Sequence, residues 1–360
     1  MKTMIQGLTA KIVVILVLAL TTNVYAAYLQ GDGEVREETS PPLIYPPPPP
    51  PPRPPPIYIP PRFSNYYNFT RNLGVIKNYT IEHNGLRIFF IRGNSYGIQS
   101  SNIVNLDDAY SRGLIGITEH PSATVSKLSV SSYTSSYIFL MAGEILSGGK
   151  QTRTIVEDIL IPPHAKNVPV DVYCIEEGRW SGKDEVFRPA VPMLDSSIRN
   201  RVMKGESQDR VWEGIRSYEE KEGKAFSNHN LLEYYEERKV DTALERKIAS
   251  CYSRLPYNAI GMVVTRKNQI LGIDAFYSHA MFEKQFSKLF KSYYYTKVPG
   301  FFYLNVNEQE VKRFLKGLPG CGISTNHSYR GAGRLYNINK NGYFGNALDF
   351  GGILHMSLIK

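Results

Sequence analysis

From residue 63 onward the chain switches between two periods of hydrophobic and polar positions. YTIEHNGLRIFFIRG, residues 79–93, carries two alternating runs on either side of Asn84-Gly85, which predicts a β-hairpin with a tight turn. LIGITE, KLSVSS, SSYIFLMAG, TRTIVEDILI and VPVDVYCIEE, between residues 114 and 177, each predict a strand. IPPHAKN, residues 161–167, predicts a loop through its prolines, and NLDDAYSRG predicts a short helix capped by Asn105 and stopped at Gly113. This half is expected to be a β-sandwich or barrel-like sheet.

The period then lengthens. In QDRVWEGIRSYEEKEG, Val211, Ile215 and Tyr218 recur at spacings of four and three, and VDTALERKIASCYSRL repeats the stripe with Ala243, Ile248 and Cys251. The charges between residues 220 and 247 fit solvated helix faces. NAIGMVVTRKNQILGIDAF predicts a second hairpin turning at Lys267-Asn268. HAMFEKQFSKLFKSYYY follows as an amphipathic helix with Met281, Phe282, Phe286, Leu289 and Phe290 as its core face. NEQEVKRFLKGL predicts a short helix ending at Gly317, and strand-like pieces return from Gly333. The expectation is an α+β fold: a β-rich N-terminal half, a helical middle and a second hairpin–helix unit, forming one globular domain over residues 63–360.

The N-terminus changes the picture. Lys2 and Lys11 precede the apolar run IVVILVLAL, residues 12–20, and Val24 and Ala26 fit the small-residue cleavage rule. Residues 1–26 therefore read as a signal peptide, so that the chain is expected to be exported (extracellular, periplasmic or cell-surface). Left uncleaved, the segment would anchor the chain by its N-terminus; no later stretch is apolar enough to span a bilayer. Residues 27–62 read as a disordered, proline-rich linker. Its PPLIYPPPPPPPRPPPIYIPPR would form a polyproline II rod on the order of 60 Å long, either a spacer or a ligand for an envelope or surface partner.

Net charge is +9, and residues 63–360 hold 37 basic against 29 acidic residues, which favours anionic partners without choosing one. No basic run resembles a nucleic-acid arm. Two of Cys174, Cys251 and Cys321 could pair in an oxidising compartment, leaving one thiol over; alternatively all three are buried small hydrophobes. No H-x-x-x-H or C-x-x-C spacing favours a zinc site, and the sequence leaves any cofactor unknown. Asn68, Asn78 and Asn326 stand in N-x-S/T acceptor sequons.

Two clusters carry candidate chemistry. GEILSGGKQTR, residues 143–153, is not a Walker loop: Glu144 replaces the required glycine, Gln151 replaces the hydroxyl residue, and a strand follows instead of a helix. What remains is a glycine turn whose backbone N–H groups could cradle an anion, with Gly148, Gly149, Lys150, Gln151 and Arg153 as candidate ligand-binding residues. The plainer alternative is a hairpin turn needing glycine for positive φ. In CIEEGRW, residues 174–180, Arg179 offers a second fork and Trp180 a stacking surface; alternatively Glu176 and Arg179 form a buried ion pair and Trp180 anchors the core. If the domain is a hydrolase of phosphate- or ribose-containing substrates, Glu176 or Asp158 is the candidate acid or base. Asp274 in GIDAF reads either as polar machinery at a strand end or as a cap or turn residue.

GEILSGGKQTR, Asp158, IPP and VPVDVYCIEEGRW, in this order, together with the VW pair at 211–212, NAIGMVV…GIDAF and the terminal GGILHMSL, resemble the ARG and rhodanese-phosphatase-superfamily-associated protein domain family. The likeness covers about residues 70–360. That family's name records association with ADP-ribosylglycohydrolase and rhodanese-phosphatase proteins, and the resemblance brings no established activity with it. It implies that GGKQTR and CIEEGRW belong to one unit. The leader and proline rod lie outside the resemblance and weigh against an intracellular ADP-ribose role. The expected function is binding of an anionic or polar small ligand where the two turns meet. The alternatives are the hydrolase and a structural cell-surface protein on a proline-rich stalk.

Overall fold

The computed structural model describes residues 63–94, 97–98, 102–120, 125–179, 186–237, 242–296 and 305–360. Residues 1–26, read above as a signal peptide, the proline-rich segment and Trp180 lie outside them.

A short helix, α1 (Ser64–Arg71), leads into the hairpin β1 (Gly74–His83) and β2 (Leu86–Arg92). Asn84 and Gly85 turn it with φ of 47° and 75°, left-handed values that asparagine and glycine tolerate best. Next come β3 (Ile103–Asn105), α2 (Leu106–Ser111), β4 (Ile115–Glu119), β5 (Lys127–Ser132), β6 (Tyr137–Leu140) and β7 (Glu144–Gly148). The Asn105 side chain caps α2 by accepting from the Asp108 N–H. TRTIVEDILI is not one strand: it breaks into β8 (Arg153–Ile155) and β9 (Ile159–Ile161), which join different sheets. β10 (Val168–Cys174) and β11 (Phe187–Met193) follow.

The middle holds α3 (Ser196–Met203), α4 (Gln208–Glu222), α5 (Leu231–Glu237) and α6 (Thr242–Tyr252). Val211, Ile215 and Tyr218 are buried as the stripe predicts. On α6 the stripe is Leu244, Ile248 and Cys251; Ala243 is exposed, because the turn of helix before Ile248 puts position 244 on the core side. The second hairpin, β12 (Gly261–Arg266) and β13 (Gln269–Phe276), leads to α7 (His279–Tyr295), whose five predicted core residues are all buried. Then come α8 (Glu308–Gly317), closed by an Asn307–Glu310 capping box, and β14 (Gly322–Thr325), β15 (Arg334–Lys340), β16 (Tyr343–Asp349) and β17 (Ile353–Ile359).

The fold is α+β, with eight α-helices among the described residues. Eight antiparallel strands form the main sheet in the order β1-β2-β12-β13-β17-β16-β15-β14. Six more run β11-β7-β8-β10-β5-β4, and a bridge between Thr118 and Val186 brings the two ends together, so this sheet is a nearly closed barrel. A small sheet, β3-β6-β9, contains one parallel pairing.

The main sheet corrects the expected N-terminal arrangement. The first hairpin does not belong to the barrel: β2 pairs with β12, and the second hairpin sits at the centre of the same sheet instead of forming a separate unit. The physical reason is visible along β2. Ile88 and Phe90 pack with α3–α7, while Phe89 and Ile91 pack on the other face with α1 and α8. A strand buried on both faces needs neighbours on both edges and layers on both sides. The barrel has its own interior of Ile117, Leu128, Val130, Leu146, Ile155, Val172 and Phe187.

Candidate functional site

The GGKQTR turn joins β7 to β8 at one end of the barrel. Gly148 and Gly149 have φ of 115° and 52°. A Cβ on Gly149 would stand 2.1 Å from Cζ of Phe187, so glycine is required there by space as well as by backbone conformation. The Lys150 N–H donates to Glu119 Oε1 at 3.1 Å. One donor of the cradle expected from the sequence is thus already committed to a carboxylate.

CIEEGR lies directly beside it, because β10 pairs with β8 and sets Cys174 opposite Arg153. Four hydrogen bonds cross between the turns, and two more, from Arg179 to Glu176, brace the second turn. The Thr152 N–H and hydroxyl donate to Glu176 Oε2 at 2.9 and 3.0 Å. Arg179 Nε and Nη2 donate to the two Glu176 oxygens at 2.8 and 2.9 Å. Arg179 Nη1 donates to the Gly149 carbonyl at 2.9 Å. Gln151 Nε2 donates to the Glu177 carbonyl at 3.3 Å. Burial alone would raise the Glu176 pKa, but the Arg179 bonds and the Thr152 donors outweigh it and hold the carboxyl below its ordinary value. Glu176 is therefore an ionised brace. Arg179, raised by its bonds to Glu176, completes it.

Arg153 differs from its neighbours. It is fully buried on the barrel side of β8, opposite Leu146 and on the same face as Ile155. Its Nη1 donates to Gln151 Oε1 at 3.1 Å, an oxygen that also accepts from the Cys174 thiol at 3.2 Å. Nε and Nη2 have no hydrogen-bond partner among the described residues. Those two N–H groups point the same way along one edge of the planar guanidinium, the geometry that grips two oxygens of one carboxylate or phosphate. Burial pushes the Cys174 thiol up to about 11 against the pull of Arg153, so it stays protonated.

Asp158 is elsewhere. Its Oδ1 accepts from the Ala142 N–H at 2.9 Å and its Oδ2 lies 2.5 Å from His355 Nδ1, with both side chains fully buried. His355 Nε2 stands 3.2 Å from Asp274 Oδ1, Arg199 Nη1 stands 2.9 Å from the same oxygen, and Tyr293 donates to Asp274 Oδ2 at 2.7 Å. The His355 and Arg199 contacts to Asp274 are within ion-pair distance but off hydrogen-bond alignment, so they are chiefly ionic. Burial would lower the His355 pKa, yet Asp158 and Asp274 raise it; burial would raise Asp274, yet Arg199 and His355 lower it. Asp274 lies inside β13 and is neither a helix cap nor a turn residue, but part of this buried network.

Sequence reasoning did not single out His355, Arg199 or Tyr293: they come from three separate elements, and although His355 lies in the terminal GGILHMSL, nothing in that stretch names its partners. It also passed over Glu157. Burial, then the charge of Asp171, pushes that carboxyl up to about 7, although Asn326 donates to it at 2.7 Å. Cys174, Cys251 and Cys321 are all free, buried thiols, as in the second of the two sequence readings, three buried small hydrophobes. No described helix is long and apolar enough to cross a membrane. Among the described residues no His, Cys, Asp and Glu group is placed to hold a metal.

The model of one family, described as the ARG and Rhodanese-Phosphatase-superfamily-associated Protein domain, matches residues 77–359. No curated protein and no solved structure matches the chain.

Proposed function

Because the chain belongs to the ARG and Rhodanese-Phosphatase-superfamily-associated Protein domain family, whose description names no reaction, we propose a function from the site itself: the domain binds a small oxyanion at the barrel end where GGKQTR meets CIEEGR. The observation that supports it is the buried Arg153 edge, Nε and Nη2, without a partner. A buried guanidinium with two unmatched donors is costly unless something accepts from them. Arg199, also buried, has Asp274 at 2.9 Å, whereas no carboxylate among the described residues lies within ion-pair distance of Arg153.

In this reading the parts divide their work. Gly148 and Gly149 let the turn close on Phe187. Glu176 and Arg179 fix the turn and do not touch the ligand. Gln151 covers Arg153, and its 3.3 Å bond to the Glu177 carbonyl is the longest in the cluster, so it is the side chain that moves to admit an anion. Lys150 adds positive charge at the mouth. The leader reading of residues 1–26 supports placing this activity outside the cytoplasm. Trp180 stays a proposed stacking surface.

The hydrolase reading is favoured by one observation, the Glu157 carboxyl near 7, within the range of a general acid or base. Neither carboxylate expected from sequence suits that role in this arrangement: Asp158 is fully buried against His355, and Glu176 is clamped in its ionised form.

The test is isothermal titration of the full chain with phosphate, sulfate and acetate, on wild type and Arg153→Lys. Lysine keeps the charge but loses the fork, and weakening of about tenfold or more is expected for the loss of a charge-assisted pair. Equal affinities in a folded Arg153→Lys protein, or no binding by wild type, would remove the proposal. The latter outcome would favour the cell-surface scaffold.

A further inference from the structure

A cleft of about 270 Å³ lies far along the sequence from the two turns, walled by Asn78, Tyr79, Thr80, Ile81 and Glu82 of β1 on one side and by Lys247, Ser250, Cys251 and Arg254 on the other. Its floor includes Phe90 of β2.

The β1 wall is irregular. Between Val75, opposite Ile91, and Thr80, opposite Phe89, β1 advances five residues while β2 advances two. The excess chain bulges from the sheet edge. Asn78 sits in it at φ 62°, and Asn78, Tyr79 and Thr80 are exposed. A bulge of this kind re-aims side chains at the cost of ladder hydrogen bonds, and it recurs beside binding sites. Here it carries the Tyr79 ring to the cleft, 49% exposed.

The opposite wall is one helical face. Lys247, Ser250, Cys251 and Arg254 follow at steps of three, one and three along α6 and the turn that ends it. Glu82 is the one carboxylate among the lining residues, and it is held by Arg87 Nε at 2.6 Å. Arg254 donates from Nε to the Ser250 carbonyl at 3.2 Å and from Nη2 to the Ser250 hydroxyl, which fixes the guanidinium over the helix end. Lys247 and Arg254 have no carboxylate partner among the described residues, so the cleft carries two uncompensated positive charges. Both pull the Cys251 thiol downward against the larger upward effect of burial.

We propose that this cleft is a second binding site, separate from the Arg153 turn, for a small organic anion bearing an aromatic ring. The ring lies against Tyr79, above the buried Phe90, and the phosphate or carboxylate group meets Lys247 and Arg254. Ser250, Thr80 and Asn78 supply the neutral hydrogen-bonding groups around it. A volume of about 270 Å³ lies just under the usual range for small-molecule pockets, which suits a compact ligand.

The experiment is isothermal titration of the full chain with phenyl phosphate, inorganic phosphate and phenol, on wild type, Tyr79→Ala, Lys247→Ala, Arg254→Ala and Arg153→Lys. The first three positions are at the surface or cleft rim, and circular dichroism confirms that the variants fold. Phenyl phosphate is expected to bind more tightly than either fragment. Arg254→Ala and Lys247→Ala should each weaken it by about tenfold, the loss expected for one charge-assisted contact. Tyr79→Ala should weaken phenyl phosphate but not inorganic phosphate, and Arg153→Lys should leave phenyl phosphate unchanged. No binding of phenyl phosphate, or binding that all three cleft variants retain, overturns the proposal. Loss in Arg153→Lys alone would assign the probe to the barrel end and equally overturn the second site, while leaving the first standing.

Discussion

Asp158 and His355 are 197 positions apart in the chain, yet their side chains meet at 2.5 Å in a fully buried contact that joins the break between β8 and β9 to the last strand of the main sheet. His355 in turn faces Asp274 at 3.2 Å and stacks on Phe276 with ring centroids 4.3 Å apart. The first carboxylate is thus committed to holding two parts of the fold together.

Stability should depend on pH through this network. The native His355 pKa is raised from 6.5, so its contribution is fully present below 6.5 and is lost as pH rises through the higher native value. The native Asp274 pKa is lowered from 3.8, so its contribution is fully present above 3.8 and is lost as pH falls through the lower native value. Urea melts of wild type between those two values should give the greatest contribution from the pair. His355→Gln should flatten the alkaline limb. An alkaline limb unchanged in His355→Gln would show that the histidine is not the group responsible.

Removing Arg199 should leave Asp274 buried without its cation. Arg199→Met is expected to cost about 3–5 kcal/mol, the range for breaking a buried pair. Arg199→Met combined with Asp274→Asn should cost less than the sum of the two single changes, because the second removes the stranded charge. Strict additivity in denaturant melts would contradict the pairing.

Gly149→Ala should destabilise the barrel by roughly 1–3 kcal/mol through overpacking, with a further penalty for a side chain at φ 52°. The built Cβ meets the Phe187 ring, so Phe187→Leu in the same chain should recover part of the loss, read as the shift in urea midpoint. No recovery would place the whole effect in the backbone.

Glu176→Gln should cost about 1.5–3 kcal/mol, the worth of hydrogen bonds to a charged group. Because Glu176 is lowered from 4.5, the wild-type advantage should be complete above 4.5 and fade as pH falls through the lower native value. A constant difference between wild type and variant across that range would show that the carboxylate is not charged in the fold.

The three thiols should all be free and slow to react. Alkylation with iodoacetamide is expected to modify Cys174 only on unfolding, since its pKa stands at about 11 and its side chain is 1% exposed. Intact mass should be identical with and without reductant. A two-dalton difference would reveal a disulfide that the fold does not contain.

Local information in the chain determined a good deal. Asn84-Gly85, Lys267-Asn268, the Asn105 cap and the Met281–Phe290 stripe specify turns, caps and faces within a few residues, because φ preference, hydrogen-bond reach and side-chain period act over that range. The same information placed GGKQTR and CIEEGRW as turns at strand ends, and strand pairing sets Arg153 beside Cys174. Tertiary structure alone decided which strands beyond the two predicted hairpins became neighbours. β2 found β12, not the barrel, because both of its faces are apolar and each needed covering. It also decided that Glu176 braces Arg179, that Asp158 binds His355, and that Arg153 keeps two donors unmatched. A side chain's partner is fixed by distance in space and by exclusion of water, and neither is written in the spacing of residues along the chain.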